Sequence, residues 1–117
     1  MDIEQVREYC LAKAGSAECF PFDDVSLVVK VLGKMFALIP LDADEPQIAL
    51  KCDPELAVEL RERYDGMEGA YHFNKKYWNT VRLEADVPDG VIRELIDHSY
   101  DEVVRKLPRK TREEYFG

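Results

Sequence analysis

Two apolar runs, Val25 to Leu32 and Met35 to Leu41, stand in this chain with only Gly33 and Lys34 between them. The first run is rich in β-branched residues, and a two-residue spacer containing glycine marks a tight antiparallel hairpin. Glycine at the first loop position suggests a type II′ turn. Both runs are apolar at odd and even positions alike. A strand with one solvated face alternates instead, so the pair is placed centrally in a sheet, with helices on at least one face.

The flanking segments supply those helices. Asp2 is an N-cap with Gln5 three residues on, and Ile3, Val6, Tyr9 and Cys10 recur at helical spacing as far as the Gly15 stop, predicting a helix over 3–14. Glu18 to Phe22 suits an edge strand or an extended entry. Gln47 to Cys52 reads as a third strand, and Asp53-Pro54 caps and opens a second helix carrying Leu56, Leu60 and Tyr64 on one face. Ala70 to Phe73 and Tyr77 to Leu83 read as two further strands joined by a polar turn. The stripe Val91, Ile92, Leu95 and Ile96 predicts a helix after Pro88. Ser99 with Glu102 matches a capping box, which predicts a break near Ser99, a short final helix and a stop at Pro108. Strands followed by helices in this segregated order argue for an α+β fold, a single-layer, largely antiparallel sheet packed with helices.

At 117 residues the chain suits one domain spanning 1–117. No apolar run approaches the length of a membrane span, so no membrane partner is expected. The N-terminus is acidic and amphipathic, unlike a secretory signal, which predicts a cytoplasmic location. Cys10, Cys19 and Cys52 are odd in number and widely spaced, as reduced thiols are. The net charge is −8, but from Arg105 onward the balance is +3, leaving −11 for the remainder. An acidic body therefore carries a basic tail over 105–112, and broad nucleic-acid coating is disfavoured.

Catalytic patterns are incomplete. His72 and His98 are the only histidines and have no metal-ligand spacing. Cys52 or Cys19 with His72 would need a positioned base and an orienting third group to make a nucleophile, and neither is legible. The glycines mark turns rather than a phosphate loop, so no cofactor is expected. The acidic groups around Asp2, Glu4 and Glu8 and from Asp23 to Glu45 read as solvated charge before they read as divalent-cation ligands. The chain is expected to be non-enzymatic. One segment stands out, Tyr71 to Val81, where Lys75 and Lys76 mark a hairpin tip beside Trp78, the only tryptophan, with Arg82 just beyond. A basic hairpin with flanking aromatics suits a phosphate backbone or a groove, although a core tryptophan and a solvated turn would give the same pattern.

Four motifs in order, Pro21-Phe22, Lys30 to Ala37, His72 to Val81, and Ser99-Tyr100-Asp101 followed by Lys106-Leu107-Pro108, make the chain resemble the MmcQ/YjbR family of small bacterial proteins over nearly its whole length. Phe73 and Tyr77 stand where that family usually has methionine and often histidine. The resemblance implies a CyaY-like fold, related in shape to frataxin, and a DNA-binding role with a double-wing arrangement. Carried onto this chain, it makes Lys34, Lys75, Lys76 and Arg82 the candidate phosphate contacts, joined by Arg105, Lys106, Arg109 and Lys110 of the tail. His72, Asn74, Trp78, Ser99 and Tyr100 are the structural members of the motifs, with Trp78 holding the hairpin rigid. The rival expectation is a protein-interaction module. A DNA partner requires Lys34, Lys75, Lys76 and Arg82 to share a face, whereas scatter among carboxylates favours a protein partner.

Overall fold

The computed structural model describes residues 1–70 and 73–116. The elements are α1 (Ile3–Leu11), β1 (Ser16–Cys19), β2 (Ser26–Val31), β3 (Lys34–Pro40), β4 (Gln47–Lys51), α2 (Pro54–Arg63), β5 (Met67–Gly69), β6 (Trp78–Arg82), α3 (Asp89–Arg105) and α4 (Arg109–Phe116). The strands form a six-stranded sheet of order β1-β2-β3-β4-β6-β5, in which every pairing is antiparallel. The α+β expectation holds.

Local chemistry explains the helix starts. The Asp2 carboxylate accepts the Gln5 N–H while the Gln5 side chain accepts the Asp2 N–H, a reciprocal capping box. Asp53 accepts the Leu56 N–H ahead of Pro54 at the first helical position. Helices α1, α2 and α3 lay Val6, Cys10, Ala57, Leu60, Ile92, Leu95, Ile96 and Val103 into one core cluster with Leu27, Val29, Val31, Ile39, Ile48, Leu50 and Val81 of the strands. These three helices therefore cover the same face of the sheet.

Four expectations are corrected. The β2–β3 loop is Leu32-Gly33, with φ of 47° and 85°, and positive φ at both central residues is the type I′ pattern rather than II′. The strand expected over 70–73 lies earlier, at Met67–Gly69, and Tyr71 and His72 fall outside the described residues. Helix α3 runs unbroken through Ser99. Pro108 precedes a further helix, so residues 105–112 are the end of α3 and the start of α4 rather than a free tail.

The reason α3 continues is tertiary. Ser99 is fully buried, its hydroxyl donates to the Phe36 carbonyl at 2.6 Å, and it accepts the Lys51 N–H at 2.9 Å. Strands β3 and β4 are in register at Ala37–Leu50, so Phe36 and Lys51 would be the next pair. The register of β2 against β3 shifts beside Val29 and Lys30, leaving Phe36 as an extra residue in β3. Such a bulge bends its strand and interrupts the ladder. Ser99 satisfies the two backbone groups left at that interruption.

Candidate functional site

Alternation along the strands creates a second face. Cys19, Val28, Leu38, Ala49, Thr80 and Glu68 are successive Cα partners across all six strands. Directly opposed antiparallel residues point to the same side. Val28 and Ala49 are buried, yet both lie outside the helix-side cluster, so this row belongs to the opposite face.

A cleft of about 480 Å³ opens on that side. Leu38, Ala49 and Thr80 form its floor, extended by Ser26, Pro40 and Gln47. Phe22, Asp23, Val25 and Asp42 line it from the loops around β2 and β3, and Ala70 and Phe73 line it from the β5–β6 connection. Small side chains at positions 49 and 70 leave the depression, and aromatic rings bound it: Phe22 is 65% exposed, and Phe73 stacks on Trp78 with centroids 4.9 Å apart. Trp78 is thus a half-buried support stacked on Phe73, outside the core cluster. The apolar pattern on both sides of β3 was the one sequence signal for this cleft. Ala49, Gln47 and Thr80 carried none.

The Phe22 wall is held by a carboxylate. Asp23 accepts the N–H groups of Val25 and Ser26 at 3.0 and 2.7 Å and the Ser26 hydroxyl at 3.1 Å. The Val25 N–H, and with it the Ser26 contacts, holds the Asp23 carboxyl below its ordinary value. A depressed carboxylate contributes order above its unfolded pKa and loses it as pH falls through the folded value. Amide exchange at Val25 and Ser26, taken relative to the intrinsic rate at each pH, is therefore expected to accelerate in acid below the usual aspartate range, and in Asp23→Ala at neutral pH. Exchange that is unchanged in both would remove this account of the wall.

The opposite wall rests on turn chemistry and on α2. Asn74 accepts the Lys76 N–H through its side chain at 3.0 Å and the Tyr77 N–H through its carbonyl at 3.0 Å. Arg61 donates to the Lys75 carbonyl and to buried Asn79, whose amide donates to the Ala57 carbonyl. Lys75 and Lys76 line a shallow groove with Glu55, Val58 and Arg61.

The expected phosphate contacts do not converge as one set. Arg82 ends β6, four residues from Trp78 or about 13 Å along a strand. There it donates to the Asp65 carbonyl at 2.5 Å and faces Glu45 at 4.0 Å. Arg105 pairs with Glu102 at 2.7 Å, and Arg109 pairs with Glu113 at 2.9 Å. Lys110 is exposed on α4. Lys34 begins β3 at the end of the sheet where β4 finishes with Lys51. At that same end the ammonium groups of Lys76 and Lys106 lie 5.6 and 5.5 Å from the centroid of the Tyr77 ring. Burial, and then the charge of Lys106, pulls the Lys51 ammonium below its usual value. Hairpin and α3 terminus thus meet on Tyr77, and nothing in the sequence marks that residue as the place where they join.

Ser99 and Tyr100 are architectural. The Tyr100 hydroxyl donates to the Ala14 carbonyl, and its ring meets Phe36 edge-on at 5.4 Å. His98 accepts the Asp53 N–H at 3.1 Å, at the start of α2. Burial pushes the thiols of Cys10 and Cys52 up to about 12, the reverse of nucleophile activation. Only Cys19, which is partly exposed, is expected to react with a thiol reagent at pH 8 before unfolding. Rapid labelling of Cys52 would contradict that burial. Among the described residues no group of three His, Cys, Asp or Glu side chains could hold a metal ion, and no helix is long and apolar enough to cross a membrane.

Comparison with known proteins places these features in a lineage. The YjbR family model matches residues 11–102. The chain is 35% identical over 112 residues to the uncharacterized protein YjbR of Escherichia coli K12, covering 96% of this chain and 95% of that one. It is 39% identical over 51 residues to the uncharacterized protein YyaQ of Bacillus subtilis, covering 44% of this chain and 42% of that one. Among solved structures, the Deinococcus radiodurans protein DR2400, of domain family DUF419, superposes with a TM-score of 0.90 at 38% identity, covering 97% of this chain and 87% of that one. A Pseudomonas syringae protein superposes with a TM-score of 0.72 at 28% identity, covering 85% of this chain and 96% of that one.

Proposed function

The chain belongs to the YjbR family, and from that premise we propose that it is a non-enzymatic, cytoplasmic binding module that receives a partner polypeptide on the face of its sheet opposite α1, α2 and α3. The observation that carries this reading is the cleft between Phe22 and the Phe73–Trp78 stack. Its volume lies within the range of about 300–1,000 Å³ usual for binding pockets. Its floor is sheet backbone fixed by pairing on both sides, which is how a rigid scaffold presents a recognition surface. The pairing of Arg82, Arg105 and Arg109 with acidic or carbonyl groups fits the same reading, because those cations already have partners.

The test is a photo-crosslinking residue placed at Phe22 in the source cell, with Glu62 on the exposed side of α2 as the control position. Adducts are expected from position 22 and suppressed by Ala49→Trp, which fills the cleft. Equal yields from both positions, or adducts indifferent to Ala49→Trp, would count against the reading.

A second reading has its own support, since Lys76 and Lys106 meet at Tyr77, Lys51 feels the charge of Lys106, and Lys34 begins β3 at the same end of the sheet. Under it that end meets the phosphates of DNA. Duplex binding followed by anisotropy should then weaken with salt, and Lys76→Ala with Lys106→Ala should flatten the logarithmic slope by about 1.8, or 0.9 for each phosphate no longer neutralised. No binding at low salt removes this reading.

A further inference from the structure

We infer that the segment received by the cleft is basic as well as apolar, an arginine side chain seated between the two aromatic walls with apolar residues beside it. The inference rests on the open-face reading and goes beyond it by assigning the chemistry of the partner.

Three observations carry it. The charged side chains that line the cleft are Asp23 and Asp42, with no lysine or arginine lining it among the described residues. Asp23 is fixed in place by its contacts to Val25 and Ser26, so its charge is presented without further ordering of the loop. The chain as a whole carries −8, which attracts a cationic segment before contact.

Geometry then selects arginine among cations. The Phe22 ring is 65% exposed, and Phe73 is backed by Trp78, so aromatic faces flank a floor of small residues. A guanidinium stacks on aromatic faces and pairs in its plane with a carboxylate, whereas an ammonium is a compact, strongly hydrated point charge. Leu38, Pro40 and Ala49 offer apolar surface to the neighbouring side chains of the segment. An acidic segment would bring its carboxylates against Asp23 and Asp42 and would be rejected by like charge.

The experiment uses three fluorescent hexapeptides in which leucine alternates with arginine, glutamine or glutamate. Anisotropy titrations are made against the unmodified chain and against Ala49→Trp, Phe22→Ser and Asp42→Lys. The arginine peptide is expected to bind about tenfold more tightly than the glutamine peptide, as one charge-assisted pair allows, with the glutamate peptide weakest. Asp42→Lys should narrow that ratio, while Ala49→Trp and Phe22→Ser should weaken every peptide. Phe22 is so exposed that its replacement leaves the fold intact if Ala49→Trp does not. Equal or weaker binding of the arginine peptide, with all binding still abolished by Phe22→Ser, overturns the assigned chemistry and leaves the open-face reading standing. Arginine-peptide binding indifferent to both cleft variants overturns both, because the acidic body would then be the attractant. No binding by any of the three overturns the inference.

Discussion

Ser99→Ala is expected to lower the unfolding free energy by about 2–6 kcal/mol, since a buried donor or acceptor left without a partner costs about 1–3 kcal/mol and this hydroxyl serves two. The Phe36 carbonyl and the Lys51 N–H lie where the β3–β4 ladder stops, with α3 packed over them. Alanine has the right size for the site and neither hydrogen bond. A urea titration should show a lower midpoint with an unchanged slope, the mark of lost stability without altered compactness. A midpoint shift equivalent to less than about 0.5 kcal/mol, the range of ordinary surface changes, would mean that neither bond matters.

Phe36→Ala is expected to cost about 3–5 kcal/mol, the usual penalty for emptying a buried aromatic site. The ring is fully buried and meets Tyr100 edge-on, so its removal takes away both core volume and the packing that seats α3. The two substitutions act on one junction, because the carbonyl held by Ser99 is that of Phe36. Their combined cost should therefore fall short of the sum by about 0.5–3 kcal/mol in a double-mutant cycle, as coupled neighbours do. Strict additivity would show that ring and hydroxyl support separate parts of the fold.

These residues also mark what the sequence could and could not disclose. Asp2 with Gln5 and Asp53 with Pro54 act within a turn of their own helices, so their pattern was sufficient to place α1 and α2. Ser99 with Glu102 has the same local pattern, and there it misleads. Its hydroxyl is engaged by backbone 48 and 63 residues away, and a partner at that distance leaves no periodic trace. The place of Trp78 stayed open for a related reason. A tryptophan between Tyr77 and Asn79 suits a core anchor or a hairpin brace equally, and only the pairing register, Lys51 against Trp78, sends its ring to the open side. The candidate site was legible in part. Asn74, Lys76 and the hairpin were visible as chemistry, whereas the cleft floor consists of alanine, threonine and leucine, which have chemistry only once strands from different parts of the chain lie side by side.

The extra residue at Phe36 has a consequence for how such a surface diversifies. The bend it introduces is fixed by buried backbone and by a serine on the far side of the sheet, and neither Phe36 nor Ser99 lines the hollow. The bend of the strand and the lining of the hollow are thus encoded in separate sets of residues. A descendant could exchange Asp42 or Gln47 and greet a different guest over strands of unchanged bend, so kinship within this lineage would transmit the vessel more faithfully than what it carries.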